Sequence, residues 1–233
     1  TKIKNKKSFF QFSLKSEIIK AVTEMGFNQP TPIQEKVIPH LVSSSQDLIA
    51  SAQTGTGKTA AFGLPVLSTT NTEDSSVQTL ILCPTRELCM QITNDLISYS
   101  KYLKSLNILA VYGGTKIDKQ IRSLKKGAQI VIGTPGRTKD LIKRKKLFVG
   151  KIQRLILDEA DEMLSMGFKD DLEMIIHSTS EKKQILLFSA TMTPKVLSVT
   201  KKYMQNSIEI AVARVNLAAE NVQHLYYMVQ AKD

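Results

Sequence analysis

The sequence predicts an α/β chain built on a mostly parallel β-sheet with helices on both faces. Short runs rich in Ile, Leu and Val recur along its length. They are apolar almost throughout instead of alternating, as strands covered on both sides are. Longer segments with helical spacing separate them, and strict alternation of strand and helix means β-α-β units and a parallel sheet.

Taken in order, the expected strands cover 47–51, 79–83, 108–112, 129–132, 154–157, 184–188 and 208–212. Helical spacing marks 86–100, 116–125, 170–177 and 194–204 among the segments between them. A further helix start is readable at Thr31: it is a good N-cap, Pro32 suits the first helical position, and Gln34 would complete a capping box. Residues 68–76 are polar enough to predict a mobile surface loop. One domain is expected over 9–213, preceded by a basic arm at 1–8 and followed by a polar, aromatic stretch at 214–233.

Composition narrows the class. Of 233 residues, 42% are apolar, and 11 Gly with 7 Pro are too few for a disordered or collagen-like chain. Lys and Arg outnumber Asp and Glu by 32 to 21, a net charge of +11 that favours a polyanionic partner, nucleic acid or an anionic surface. Cys83 and Cys89 cannot make a disulfide framework and read as buried small hydrophobes in a reducing compartment. His40, His177 and His224 are too scattered for a metal cluster. No apolar run approaches the ~20 residues of a membrane span, and no long apolar stretch follows the basic N-terminus. A start at Thr1 suggests a fragment or a processed product, and the cytoplasm is the expected location.

Two segments carry chemistry. After the first strand comes Ala52-Gln53-Thr54-Gly55-Thr56-Gly57-Lys58-Thr59, then a helical pattern. The glycines let backbone N–H groups approach a phosphate chain, and the helix N-terminus adds partial positive charge. Lys58 can reach the outer phosphates and the Thr59 hydroxyl can ligate Mg²⁺. Farther on, the run 154–157 ends in Asp158-Glu159-Ala160-Asp161. An acid at the carboxyl end of a strand is where a Mg²⁺-holding carboxylate belongs, and Glu159 beside it can orient or deprotonate an attacking water. Alone, the acids also read as a negative first helical turn.

With these motifs in place the chain resembles the first RecA-like, P-loop domain of a DEAD-box ATP-dependent RNA helicase. The acidic quartet at 158–161 is the family's namesake, and the loop at 52–59 is its own form of the phosphate loop, Ala52 included. The likeness runs from Phe9 to about Met204, through Pro84-Thr85-Arg86-Glu87-Leu88, Gly113-Gly114, Thr134-Pro135-Gly136-Arg137 and Ser189-Ala190-Thr191.

The resemblance implies ATP and Mg²⁺ as cofactors and RNA as partner. ATP would be held by Phe9, Gln34 and the loop residues Gln53, Thr54, Gly55, Thr56, Gly57, Lys58 and Thr59, with Thr59 and Asp158 serving the metal and Lys58, Asp158 and Glu159 catalysis. By this likeness Gln34, in Gly26-Phe27-Asn28-Gln29-Pro30-Thr31-Pro32-Ile33-Gln34, reads the adenine edge while Thr31 still caps the helix, and Phe9 packs on the ring. Asp161, Ser189 and Thr191 would couple hydrolysis to the RNA-bound shape through hydrogen bonds. Pro84, Thr85, Arg86, Gly113, Gly114, Thr134, Gly136 and Arg137 would grip one RNA strand by its backbone. Lys143-Arg144-Lys145-Lys146 reads instead as a solvated helix end. Nothing in the chain matches the His-Arg-x-Gly-Arg-x-x-Arg finger motif of the family's second RecA-like domain, and 214–233 resembles the start of the interdomain linker. The expectation is a monomer that binds nucleotide, turns it over slowly and unwinds nothing.

Overall fold

The computed structural model describes residues 8–212. The expected linker at 214–233 and all but the last residue of the basic arm lie outside the described residues. Among the described residues seven strands form one sheet: β1 (Leu48–Ser51), β2 (Thr79–Leu82), β3 (Ile108–Val111), β4 (Ile130–Gly133), β5 (Arg154–Leu157), β6 (Gln184–Ser189) and β7 (Ile208–Ala211). Their spatial order is β3-β4-β2-β5-β6-β1-β7, and every pairing is parallel. The helices are α1 (Ser16–Glu24), α2 (Pro32–Ser43), α3 (Lys58–Thr69), α4 (Arg86–Tyr99), α5 (Ile117–Leu124), α6 (Pro135–Lys143), α7 (Ala160–Ser165), α8 (Lys169–Ser178) and α9 (Pro194–Tyr203), with a 3-10 turn at Phe9–Gln11.

The continuous apolar runs exist because each inner strand feeds two cores. Ile81, Ile156, Leu186 and Phe188 face one core, while Leu80, Leu82, Leu155, Leu157 and Leu187 face the other. Helices α1–α4 cover the first face, supplying residues such as Ile18, Val37 and Leu96, and α5–α9 cover the second, supplying Leu141, Met163 and Ile175. Each such side chain stabilises the fold by roughly 1.5–3 kcal/mol on burial. The outermost strand β7 alternates instead, with Glu209 exposed on the free edge, which blunts it against further pairing.

Helix α3 is apolar all round because it packs between α2 and α4 over the sheet. Gly63 makes that packing possible: a Cβ there would lie 2.5 Å from Leu96 Cδ2.

Register aligns the carboxyl ends. Ser51 is level with Ser189, and Leu82 with both Gly133 and Leu157. The loops after these strands therefore leave from one edge of the sheet, where α/β proteins place their sites. At the other edge Asp47 acts as a clasp, accepting the Ile185 N–H at 2.7 Å and the Gln205 N–H at 3.1 Å.

One local reading changes and one holds. Residues 68 and 69 belong to α3, and the loop beyond is held: the Gln78 amide donates to Asn71 O at 2.7 Å and Asp74 O at 3.0 Å, while its oxygen accepts the Asn71 N–H at 3.0 Å. Polarity predicted the loop, but not the buried amides that hold it, Gln78 and also Gln129, which donates to Thr72 O at 3.2 Å. Cys83 and Cys89 are both buried free thiols; Cys89 Sγ donates to Ile132 O at 3.3 Å.

Candidate functional site

The loop between β1 and α3 bends through two left-handed glycines, Gly55 (φ +77°) and Gly57 (φ +88°). Gly57 is enforced twice. A Cβ there would sit 2.5 Å from Gln34 Nε2, because Gln34 lies across the loop and donates to Gly57 O at 3.1 Å. Gln34 Oε1 accepts the Thr31 N–H at 2.9 Å, so the capping reading of this glutamine is realised and its amide also ties α2 to the phosphate loop. Thr56 Oγ1 donates to Gln53 O at 2.7 Å, tightening the turn.

A cavity of about 310 Å³ lies against this loop, lined by Phe27, Gln34, Lys58, Thr59, Asp158 and Glu159 among others. Phe9 differs from expectation. It is 2% exposed and set in the core, its ring edge-on to Phe12 (5.9 Å between centroids) and tilted against Phe27 (6.2 Å). Phe27 and Tyr99 are the rings at the cavity wall, and Phe9 buttresses Phe27. The likeness marks an aromatic at position 9 but carries no information about which of two packed rings faces outward.

The acids converge on the same hollow. Asp158, at the end of β5, is 2% exposed; its Oδ1 accepts the Glu159 N–H at 3.0 Å and lies 3.5 Å from Lys58 Nζ. Burial pushes its carboxyl above the ordinary range, opposed by the Lys58 charge. Glu159 is raised by partial burial and by the Asp158 charge. Its backbone is left-handed (φ 53°, ψ 51°), a strained conformation for a side-chain-bearing residue that turns the chain directly into α7. Asp161 moves the other way. Burial would raise it, but hydrogen bonding by Thr191 and Ser189 outweighs that and holds it low. Thr191 donates to Asp161 Oδ2 twice, from Oγ1 at 2.7 Å and from N–H at 2.9 Å, and the Ser189 hydroxyl braces the segment by donating to Thr191 O at 2.8 Å. The cap of α9 is Thr193, so Ser189 and Thr191 are not needed for that role.

These residues fit a magnesium nucleotide. Lys58 is 6% exposed, and its ammonium meets the Asp158 carboxylate only at 3.5 Å, a long contact that leaves donors free. A buried ammonium with donors to spare, at the N-terminus of a helix, is stabilised by phosphate oxygens. Among the described residues no cluster of three or more His, Cys, Asp or Glu could hold a metal by itself. Mg²⁺ takes one or two protein oxygens together with substrate phosphates, and Thr59 and Asp158, both at the cavity wall, could supply them.

A second cavity, about 590 Å³, opens on the far side of Lys58 and is lined by Gln53, Thr54, Pro84, Thr85, Glu159 and Asp161 among others. From it a row of loops continues over the ends of β2, β4 and β3. Thr85 caps α4, accepting the Leu88 N–H at 3.2 Å, and the Arg86 guanidinium lies 5.1 Å over the Tyr112 ring. A Cβ on Gly114 would come within 3.8 Å of Arg86 Nη1, whereas Gly113 faces open space. Arg137 reaches the same loop, donating to Gln120 Oε1 at 3.0 Å and Thr115 O at 3.1 Å. Thr134 is the N-cap of α6, with its N–H on Val111 O at 3.1 Å, and Gly136 is exposed beside it. The expected residues thus fall into two adjoining groups, one around Lys58 and one along the β2-β4-β3 edge.

Sequence reasoning missed two supports. Gly133 admits no side chain, since a Cβ would meet Thr138 Oγ1 at 2.2 Å and Val111 Cγ2 at 2.8 Å. Its place just before Thr134-Pro135-Gly136 is a signal that could have been read. Gln120, buried, donates to Tyr112 O at 3.1 Å and Thr115 Oγ1 at 2.9 Å and so shapes the glycine loop; nothing in its sequence surroundings marks it.

Comparison with known proteins gives the family. Residues 31–199 match the model of the DEAD/DEAH box helicase family. The chain is 46% identical over 97% of its length to the ATP-dependent RNA helicase CshA of Listeria monocytogenes, covering 43% of that protein. It is 42% identical to the ATP-dependent RNA helicase DeaD of Mycobacterium tuberculosis, covering 40% of it. A DEAD box protein from the hyperthermophile Methanococcus jannaschii superposes with a TM-score of 0.86 at 43% identity, over 90% of this chain and 56% of that one. The chain thus spans less than half the length of the curated relatives named here. On the match over 31–199 and these identities, it belongs to the DEAD/DEAH box helicase family.

Proposed function

We propose that this chain is the ATP- and RNA-binding half of an ATP-dependent RNA helicase. The observation that carries the reading is the buried ammonium of Lys58, placed at the α3 N-terminus and only loosely paired with Asp158 at 3.5 Å. Its relatives' names supply the substrate class.

In this reading Lys58 and the loop N–H groups hold the nucleotide's phosphates, while Gln34 and Phe27, backed by Phe9, form the base side. Thr59 and Asp158 hold Mg²⁺, which supplies charge neutralisation at the phosphates. Glu159, with its raised carboxyl, takes a proton from the attacking water. Asp161 holds Thr191 and, through it, the Ser189 segment, so the nucleotide site is tied mechanically to its neighbours. Arg86, Gly113-Gly114, Thr134, Gly136 and Arg137 grip a single RNA strand by its phosphates and 2′-hydroxyls. A second RecA-like domain would close over both sites; nucleotide is the ligand that shifts this two-state closure. Arginine fingers from that domain are worth ~10³–10⁵ in rate in phosphoryl transfer.

The test is to measure equilibrium nucleotide binding and steady-state hydrolysis on the 233-residue chain. Binding with negligible RNA-stimulated turnover is expected. Robust stimulated turnover by the chain alone would contradict the assignment of the fingers elsewhere.

A further inference from the structure

At the opposite edge of the sheet lies a groove that the nucleotide and RNA sites do not use. It has a volume of about 380 Å³, in the range of ligand pockets, and its wall includes Val77, Leu124, Ala128, Leu147 and Phe148. Val77, Ala128 and Lys151 immediately precede or approach β2, β4 and β5, which places the groove at the strands' amino ends, away from the loops around Lys58.

Phe148 is what draws attention to it. Leu147 and Val149 are 2% and 4% exposed and anchor the α6–β5 connection in the core, yet Phe148 between them is 74% exposed. The fold needs the two flanking residues; it does not need an aromatic turned outward. A single exposed apolar residue is ordinary. Here, however, the ring borders a mostly apolar hollow.

The rim is cationic. Lys146 and Lys151 line the groove, and Lys143, Arg144 and Lys145 precede them on the end of α6. Among the described residues Lys146 forms no salt bridge and Lys151 has only a longer-range attraction to Asp74, whereas Arg144 is paired with Asp140 at 2.7 Å. Asp74, on the same loop as Ser76, points its carboxylate at the Ser76 N–H at 2.8 Å.

We infer that this groove docks a short acidic segment of another protein that carries a large apolar side chain. The apolar side chain enters beside Phe148 and Leu147, and the flanking carboxylates meet Lys146 and Lys151. Complementary charge selects the acidic segment, and the apolar wall selects protein over nucleic acid, which would need exposed phosphate contacts and no hollow.

The probe is a short fluorescein-labelled peptide repeating Asp-Glu-Leu-Phe, titrated with the 233-residue chain and read by anisotropy. An oligoglutamate of equal charge and an oligouridine serve as comparisons. The acidic-apolar peptide should bind best, and Phe148→Ala should weaken it roughly tenfold, as loss of an aromatic anchor does. Lys146→Glu combined with Lys151→Glu should weaken it similarly. Phe148 is so exposed that its variant should melt with the parent, so a lost affinity cannot be put down to misfolding. Equal binding of oligoglutamate, an unchanged affinity in Phe148→Ala, or oligouridine binding with the same dependence on Phe148 would each overturn the inference.

Discussion

Replacing Gly57 with alanine while using Gly55 as the comparison isolates the contact between Gln34 and the phosphate loop. Both positions are left-handed, at φ +88° and +77°, so an alanine pays similar backbone strain at each, about 1–2 kcal/mol. At Gly55 nothing lies within 4 Å of the added Cβ, whereas at Gly57 it meets Gln34 Nε2 at 2.5 Å. Relieving that overlap moves the amide and breaks its bonds to Gly57 O and the Thr31 N–H. Two such bonds contribute about 0.5–1.5 kcal/mol each. Gly57→Ala should therefore be about 1–3 kcal/mol less stable than Gly55→Ala. For a domain of this size that is a further fall in melting temperature of about 2–12 °C. Thermal unfolding of the nucleotide-free protein, followed by circular dichroism, measures it. With Gln34→Ala in the background, the extra cost at position 57 should largely vanish. Equal losses at 55 and 57, or an extra cost that survives without Gln34, would show that the glutamine does not hold the loop.

Two further outcomes follow from the site's electrostatics. Burial holds the Asp158 carboxyl above its ordinary value, so between about pH 4 and that raised value this group carries more proton in the folded state than in the unfolded one. That group's contribution to stability therefore declines as pH rises through the window, and Asp158→Asn should flatten the decline in urea midpoint against pH; an unchanged slope counts against a strained buried carboxylate. Arg86, if it meets a phosphate, should contribute about one unit to the slope of log affinity for oligouridine against log salt, and Arg86→Ala should lower that slope accordingly. A slope that stays put would leave Arg86 as a clamp on Tyr112 only.

How much of this was readable from residues alone varies with the physics involved. The strands were, because burial on both faces leaves an apolar run such as Leu155-Ile156-Leu157 with no competing explanation. The positions of the glycine-rich loop and the acidic quartet were, because each directly follows an apolar run, β1 and β5, at the carboxyl edge of the sheet. Gln34 was ambiguous because one amide can serve a cap and a ligand with the same atoms, and only coordinates show it bonded to Gly57. The exchange of Phe9 for Phe27 at the cavity wall depends on packing between distant segments, which has no local signature. The left-handed backbone of Glu159 is similarly invisible, since glutamate gives no hint of φ 53°. Gln120 was missed because an amide on a helix is unremarkable until Arg137 and the glycine loop fold around it.

The most direct test is calorimetric titration of Mg²⁺ and a non-hydrolysable ATP analogue into the wild-type chain and into Lys58→Ala. Charge-assisted hydrogen bonds are worth about 1.5–3 kcal/mol, so the variant should bind about 10- to 100-fold more weakly while keeping its fold. Equal affinity in the two proteins would mean that the buried ammonium at the head of α3 does not hold a phosphate.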